Sequence, residues 1–586
     1  MRGNRVQVIA TAGHVDHGKS TLLRALTGME PDRWEEERRR GLTIDLGFVW
    51  TAEPGLAFVD VPGHERFLTN MLAGVGPVPA VLFAVAADAG WQAQSREHLE
   101  VLDALGIRHG LLAVTRADLA DPAAARAQAV RELAGTGLAG LPAVAVSAVT
   151  GAGVPELRAE LTRLAALLPA ADPEADIRLW IDRVFTVTGR GTVVTGTLGA
   201  GTVRVGDRLR VAGGGEELRV RGLHTLKRPV ERVTAPVRIA INVRGRAAGG
   251  LRRGDALLTP DRWLDDDVVD VRLTSAARTP PPRQLTFHVG AAAVPATVRP
   301  LGADFCRVTL RRPLPLRVGD RVLLRDPGDR RVLGATVMDV RPPRLRRRGA
   351  AADRAARLGR LTGTPDGAVL VRDHGLIRRA DLIAMGVRPP AEPVTGDWVA
   401  DPEHWAALGE GLTRTVEDHA ARHPDDPGLP VEAARRLLDL PERSLVEALA
   451  TGTPLRLRRG RLFAGRDVPT LPADLRRAVD EVRAELAGSP FRAPQADRLT
   501  ALGLHSRALA TAQAAGLLLC VADGIVLLPD AEEQAVRILG GLPQPFTVAQ
   551  ARQALGTTRR VALPLLQHLD RQGRTARVDD AHRRLR

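Results

Sequence analysis

Eight residues near the start of the chain constrain its fold more than any other feature: Gly13-His14-Val15-Asp16-His17-Gly18-Lys19-Ser20. They fit the pattern G-x-x-x-x-G-K-[ST] and stand where that pattern has meaning, after a short apolar run at 6–11 and before a helical stretch from Lys19. Gly13 and Gly18 let the backbone wrap tightly and turn its N–H groups toward phosphate oxygens. Lys19 brings a positive charge to the β- and γ-phosphates, and the Ser20 hydroxyl is placed to ligate Mg²⁺. Thr21 follows in the first helical turn. A loop of this kind works at the junction of a buried strand and a helix, so the chain is predicted to open with an α/β P-loop domain.

The rest of residues 1–172 supports that domain. Apolar runs at 56–61, 78–86, 110–115 and 143–147 alternate with helical patterns at 95–105 and 121–133, the signature of a parallel doubly wound sheet. Polar residues fall at the strand ends, where such sheets bind ligands. Asp60, closing the second run, can hold Mg²⁺ through water. The Gly63 N–H can meet a γ-phosphate, and Thr43, in a charged segment between the two motifs, can complete the Mg²⁺ shell only when that phosphate is present. The Asp118 carboxylate can accept from N1 and N2 of guanine, which selects GTP over ATP. Ser147 and Ala148 lie where a guanine O6 edge would come. Any one of these residues alone reads as an ordinary surface or strand-end group. Together, in this order, they read as a GTP/GDP and Mg²⁺ site.

The pattern changes near 169–173. Short alternating strands punctuated by Gly-Asp turns run from 177 to about 343, predicting two small β-barrels at 173–262 and 263–345. A basic stretch at 341–350 is expected to act as a hinge. Beyond it the pattern turns helical and repeats one unit: three helices, then a strand–turn–strand. That order predicts tandem winged helices at 346–407, 408–468, 469–530 and 531–586. In the last, Thr557 or Thr558 is expected to cap the third helix, Pro564 to kink or restart it, and Gly573 to stop it.

Composition narrows the class. The net charge of +15 points to a polyanionic partner, although arginine-rich compositional bias accounts for part of it. Aromatic residues at 3% argue against binding built mainly on base stacking. No run approaches the length of a membrane span and no signal peptide is apparent, so no membrane partner and a cytoplasmic location are expected. Two distant cysteines, Cys306 and Cys520, exclude a disulfide framework and a four-cysteine zinc site, and both read as buried small apolar residues.

Gly-His-Val-Asp-His-Gly-Lys is similar to the phosphate loop of translational GTPases such as elongation factor Tu. That resemblance makes His64, directly after Asp60-Val61-Pro62-Gly63, the residue that orients the attacking water, with Val15 and Leu42 as an apolar gate. One motif departs: the usual Asn-Lys-x-Asp is Thr115-Arg116-Ala117-Asp118 here. Thr115 fits the selenocysteine factors, and the planar Arg116 guanidinium can still lie over the base. Thr43-Ile44-Asp45-Leu46-Gly47-Phe48, Asp60 through Phe67, and the long helical tail all resemble the bacterial selenocysteine-specific elongation factors. The resemblance implies GTP hydrolysis stimulated by the ribosome, delivery of selenocysteinyl-tRNA at UGA, an mRNA hairpin gripped by the tail, and action as a monomer without an exchange factor.

The family places a selenocysteine pocket between the P-loop domain and the first barrel. A selenol is anionic at neutral pH, so fixed cations would prefer it over serine. Candidates are Arg183, Arg238 and His224, with Phe48 as an apolar wall. For the hairpin, candidates are Arg559 and Arg560 at a helix start, Gln567 and His568 along that helix, and Arg574 and Arg577 in the wing. Two other readings remain: a general aminoacyl-tRNA GTPase with an unrelated nucleic-acid-binding tail, and a non-enzymatic regulator whose winged helices bind DNA or RNA. Intact Lys19, Ser20, Thr43, Asp60 and His64 argue against a dead site.

Overall fold

A computed structural model describes residues 7–31, 46–51, 55–61, 68–75, 78–189, 191–274, 281–328, 331–345, 347–424, 426–464, 471–579 and 581–585. The described chain divides into two units, Met1–Ala407 and Leu408–Arg586.

The first unit opens with β1 (Gln7–Ala12), α1 (Lys19–Thr27), β2 (Gly47–Trp50), β3 (Leu56–Asp60), α2 (Leu68–Val75), β4 (Ala80–Ala86), α3 (Ala93–Ala104), β5 (His109–Thr115), α4 (Pro122–Leu133), β6 (Ala143–Ala145) and α5 (Val154–Leu167). The sheet order is β2-β3-β1-β4-β5-β6. It is parallel as expected, except that β2 pairs antiparallel with β3, Phe48 opposite Val59. The sequence around β2 reads as a nucleotide-sensing loop, and the structure makes its last four residues, Gly47–Trp50, an edge strand. Strands β1, β3 and β4 are buried along their whole length, which is why they read as unbroken apolar runs rather than alternating ones. Asp121 caps α4 by accepting from the Ala123 N–H at 2.9 Å.

Two all-β regions follow. The first is an eight-stranded antiparallel sheet, with a separate ladder between Thr202–Arg204 and Arg232–Thr234; among the described residues its path is open rather than a closed ring. Its strand Val237–Arg244 alternates strictly, so Val237, Ile239, Ile241 and Val243 face the core. The second is a closed six-stranded barrel built from Asp265–Leu273, Gln284–Val289, Ala292–Pro300, Phe305–Pro315, Arg321–Arg325 and Val332–Asp339.

The stretch expected to hinge is instead pinned. Arg341 pairs with Asp266 of the closed barrel and with Asp381 beyond it, and the Arg307 guanidinium donates to the Pro343 carbonyl. The elements after it are helices Ala350–Leu358, Gly367–His374 and Arg379–Ala384 and strands Leu376–Arg378 and Trp398–Ala400. A helix separates the two strands, so the expected three-helix-then-hairpin order does not hold here. Leu370, Val371, Ile377, Leu382, Met385 and Val399 belong to the same buried core as the barrel's Val271, Phe287 and Val308.

A buried ionic knot reinforces that seam. Arg354, 2% exposed, contacts Asp270 and Asp339 at 2.6 Å each and also Asp373. Arg307 holds Asp270 with two bonds, and the His374 ring meets Asp339 at 2.7 Å.

In the second unit, the short strand Leu429–Pro430, helices Val431–Leu437 and Arg443–Thr451, and strands Arg456–Arg458 and Arg461–Phe463 form one three-stranded winged element. Helices from Ala473 to Ala514 and the hairpin Leu519–Leu527 come next. Helix Ala531–Gly540, strand Phe546–Thr547, helices Val548–Ala554 and Arg559–Arg571, and strands Thr575–Arg577 and His582–Leu585 close the chain. From Leu471 to Leu569 these last elements share one core. The helix Arg559–Arg571 runs through Pro564 without a break. Neither threonine caps it through its side chain: Thr558 makes no cap bond, and the Thr557 hydroxyl donates to the Phe491 carbonyl. A full capping box instead starts the preceding helix, at Thr547 and Gln550. Cys306 is buried, and its thiol is pushed up to about 11 by burial and the nearby Asp270; Cys520 is only half-buried. Among the described residues, no helix is long and apolar enough to cross a membrane.

Candidate functional site: a phosphate loop and a cationic cleft

The phosphate loop is built by β1 and α1. Gly13 sits at φ 122°, where a β-carbon would lie 2.2 Å from the Ala84 carbonyl oxygen, so β4 packs against the loop too closely for any side chain. Gly18 at φ 72° turns the chain into α1. Lys19 is buried, and its ammonium donates to the carbonyls of Gly13 at 3.0 Å and His14 at 2.7 Å, which aims it along the inside of the loop. Burial depresses His17 to about 4 and, with Lys19, also lowers His14. Both imidazoles are therefore neutral near pH 7, and Lys19 is the loop's cation.

The metal-binding candidates converge. The Ser20 hydroxyl donates to one Asp60 oxygen at 2.7 Å, and the Thr11 hydroxyl donates to the other at 2.8 Å while accepting from the Val61 N–H. Asp60 is fully buried. A hydroxyl beside a fixed carboxylate is an all-oxygen donor set that suits a hard divalent cation. Thr43, Leu42, Gly63 and His64 lie outside the described residues.

On the base side, the Thr115 hydroxyl donates to the His17 carbonyl at 2.8 Å, joining the guanine motif to the phosphate loop. Arg116 reaches the Asp16 carbonyl and pairs with Asp88. Both Arg116 (φ 55°) and Asp16 (φ 62°) are non-glycine residues in the left-handed region, a local strain characteristic of ligand sites. Arg116 thus ties the loop together as well as standing near the base. The Asp118 carboxylate is exposed, Ser147 is buried, and Ala148 is half-buried beside it. Sequence reasoning missed two contributors on α3: His98 accepts from the Gly13 N–H at 3.2 Å and Gln94 from the Val15 N–H at 3.1 Å. No motif flags them, because their partners are backbone groups.

A second site lies between β2 and the first all-β region. Phe48, Arg183, Arg238 and His224 line one cavity of about 220 Å³, together with Trp50 and Lys227. The Arg238 guanidinium lies 3.6 Å from the centre of the Phe48 ring. It is held there by Asp182 through both of its terminal nitrogens and by the Thr195 hydroxyl at 3.0 Å. Arg183 donates to the Leu46 carbonyl at 2.6 Å and stands 5.6 Å from the same ring. Two guanidiniums fixed on an aromatic wall form a rigid receptor for a small anion.

In the tail, Arg559, Gln567, Arg574 and Arg577 are exposed. Arg577 also donates to the Asp579 carbonyl at 3.1 Å. Arg560 instead donates to the Ala493 and Pro494 carbonyls at 2.8 and 2.9 Å, and His568 meets Glu532 at 2.5 Å. These two residues fasten helix Arg559–Arg571 to its neighbours. Periodicity alone did not separate them from the exposed ones.

A P-loop α/β domain with a guanine motif, followed by two all-β regions, defines a translational GTPase. Residues 4–167 match the family model for the elongation factor Tu GTP binding domain, 266–344 match that for the selenocysteine-specific elongation factor beta-barrel domain, and 537–584 match that for the elongation factor SelB winged helix. The chain is 32% identical to the selenocysteine-specific elongation factor of Escherichia coli, over 98% of both chains. It is 38% identical to that of Desulfomicrobium baculatum, over 61% of this chain and 59% of the relative. A crystal structure of a bacterial selenocysteine-specific elongation factor, EF-Sec, superposes with a TM-score of 0.76 at 25% identity, covering 99% of each chain. The chain belongs to the selenocysteine-specific elongation factor family.

Proposed function

We propose that this protein carries selenocysteinyl-tRNA to the ribosome at UGA codons and binds an mRNA hairpin through its last winged helix. It acts in the cytoplasm as a monomer, and hydrolysis of its GTP releases the tRNA. The observation that carries this reading is the cavity walled by Phe48, Arg183, Arg238 and His224. An anionic selenolate gains charge-assisted hydrogen bonds there, whereas a neutral serine hydroxyl gains weaker ones. Asp182 offsets one positive charge, so the discrimination rests on fixed geometry as much as on net charge. At the nucleotide site, Ser20 and Asp60 would hold Mg²⁺, with Thr43 joining them, and a bound ion would supply positive charge against that developing on the phosphates. Lys19 stabilises the same charge, Asp118 and Arg116 fix the base, and His64 is assigned the attacking water by the family resemblance. Exposed Arg559, Arg574 and Arg577 offer the hairpin backbone a positively charged helix start and wing.

The test is GTP-dependent binding to selenocysteinyl-, seryl- and uncharged forms of one tRNA. Strong preference for the first is expected. Arg183→Ala and Arg238→Ala should each reduce the selenocysteinyl-to-seryl ratio by roughly tenfold or more, the cost of one charge-assisted bond. An unchanged ratio in both variants would overturn the pocket, and equal binding of all three forms would overturn the selenocysteine reading.

A further inference from the structure

The chain has 83 lysine and arginine residues, and only two of them are lysine: Lys19 and Lys227. Lys19 is the phosphate-loop lysine, where a compact ammonium is required and a planar guanidinium is not equivalent. In a chain that writes nearly every basic position as arginine, the second lysine lines the cavity beside Arg183, Arg238 and His224.

Its local structure is also unusual. Leu226 and Lys227 form the two-residue turn between strands Glu217–Thr225 and Arg228–Val230, at φ 49° and 61°. Such turns favour Asn-Gly because both residues occupy the left-handed region. A leucine and a lysine stand here at conformational cost. The ammonium lies 5.7 Å from the Trp50 ring centre, at the exposed end of the cavity. A guanidinium there would lie flat on the indole and be held, whereas an ammonium on a flexible stem keeps donors for a ligand. The cavity, about 220 Å³, is large enough for an amino-acid side chain. The first anion outside it, one ribose beyond the ester, is the terminal phosphodiester.

Resting on the function proposed above, we propose that Lys227 binds the terminal phosphodiester of the aminoacyl-tRNA. It thereby supplies affinity common to all charged tRNAs, while the deeper arginines supply discrimination.

Lys227 is the chain's one exposed side-chain amine, since Lys19 is buried, so an amine-acylating reagent reads it directly in the full-length protein. With GTP present and each tRNA at saturating concentration, seryl- and selenocysteinyl-tRNA should each lower acylation of Lys227 about tenfold, as for an amine held against phosphate. Lys227→Gln should weaken both charged tRNAs by the same factor and flatten the salt dependence of binding by about 0.7 in log–log slope, one phosphate contact on a single strand. Lys227→Arg should recover only part of the affinity, and full recovery would overturn the requirement for an amine. Unchanged acylation with tRNA bound, or a wild-type salt slope in Lys227→Gln, would overturn the contact. Wild-type protein that binds both charged tRNAs without preference overturns the selenocysteine reading and leaves the Lys227 footprint decisive. Binding of neither overturns both.

Discussion

Arg354→Met tests whether the buried knot holds the 350–400 elements to the closed barrel. The knot sets three carboxylates, Asp270, Asp339 and Asp373, against Arg354 and Arg307, with His374 adding a third positive charge when it is protonated. Methionine retains the packing volume and leaves an uncompensated negative charge in a site where Arg354 is 2% exposed and Asp270 and Asp339 are fully buried. Breaking a buried pair in this way costs about 3–5 kcal/mol. The loss should appear as local opening, with hydrogen exchange in peptides from 350–400 accelerated by roughly 10²–10⁴-fold and exchange in β1–β6 unchanged. Adding Asp373→Asn, which removes the excess charge, should recover part of the protection. The knot also predicts a pH window. Burial opposes protonation of His374, but the charge and hydrogen bond of Asp339 prevail and raise it. Its stabilisation is thus complete below the ordinary histidine range and lost as pH rises through the elevated value. Asp339 is held well below the carboxylate range against the opposing effect of burial, by His374 and Arg354. Its stabilisation is present above that range and lost in acid. Exchange in Arg354→Met within twofold of wild type at pH 7 would refute the reasoning.

Three further outcomes are expected. His288 is buried, both ring nitrogens lack a hydrogen-bond partner among the described residues, and burial with Arg325 depresses it to about 4. Its folded value is lowered, so stability is present above about 6.5 and lost as pH falls toward 4, by roughly 3 kcal/mol. His288→Leu should raise stability in urea titrations at pH 4.5 and reduce that acid sensitivity. Gly13→Ala should abolish GTP and GDP binding in fluorescent-nucleotide titrations, because its methyl would meet the Ala84 carbonyl at 2.2 Å. Asp118→Asn should reverse base preference from guanine to xanthine by at least about 100-fold, because the amide can donate where the carboxylate accepts; a variant that still prefers GTP would remove Asp118 from the base site.

The parts of the site that were legible depend on local backbone chemistry. Gly13, Gly18, Lys19, Ser20 and Asp60 must occur at a strand end in fixed order, and the fully buried β1, β3 and β4 announced those ends as apolar runs. The cationic cleft was reached only through family resemblance, since Arg183 and Arg238 look like any exposed arginine until Phe48 from another domain is brought against them. Seams were the least legible. The pattern around Leu370, Leu382 and Val399 signals a buried face but not what covers it, so 341–350 read as a hinge. Arg560 and Arg559 differ by one position, yet one is fixed to the Ala493 and Pro494 carbonyls and the other meets solvent.

The shared core of the closed barrel and the 350–400 elements decides where this protein can be cut. A fragment ending near 345 would carry a barrel stripped of Leu370, Ile377, Leu382 and Met385, and the complementary piece would carry those side chains into water. Both halves would tend to aggregate. Division at 407/408, the boundary between the two units, leaves that core whole but interrupts the helix Pro402–Arg422, so a cut between residues 400 and 402 preserves both. Tail swaps between relatives that keep residues 346–400 with their own barrel should stay soluble, and those that exchange them should require matched residues at the Asp270, Asp339 and Arg354 positions.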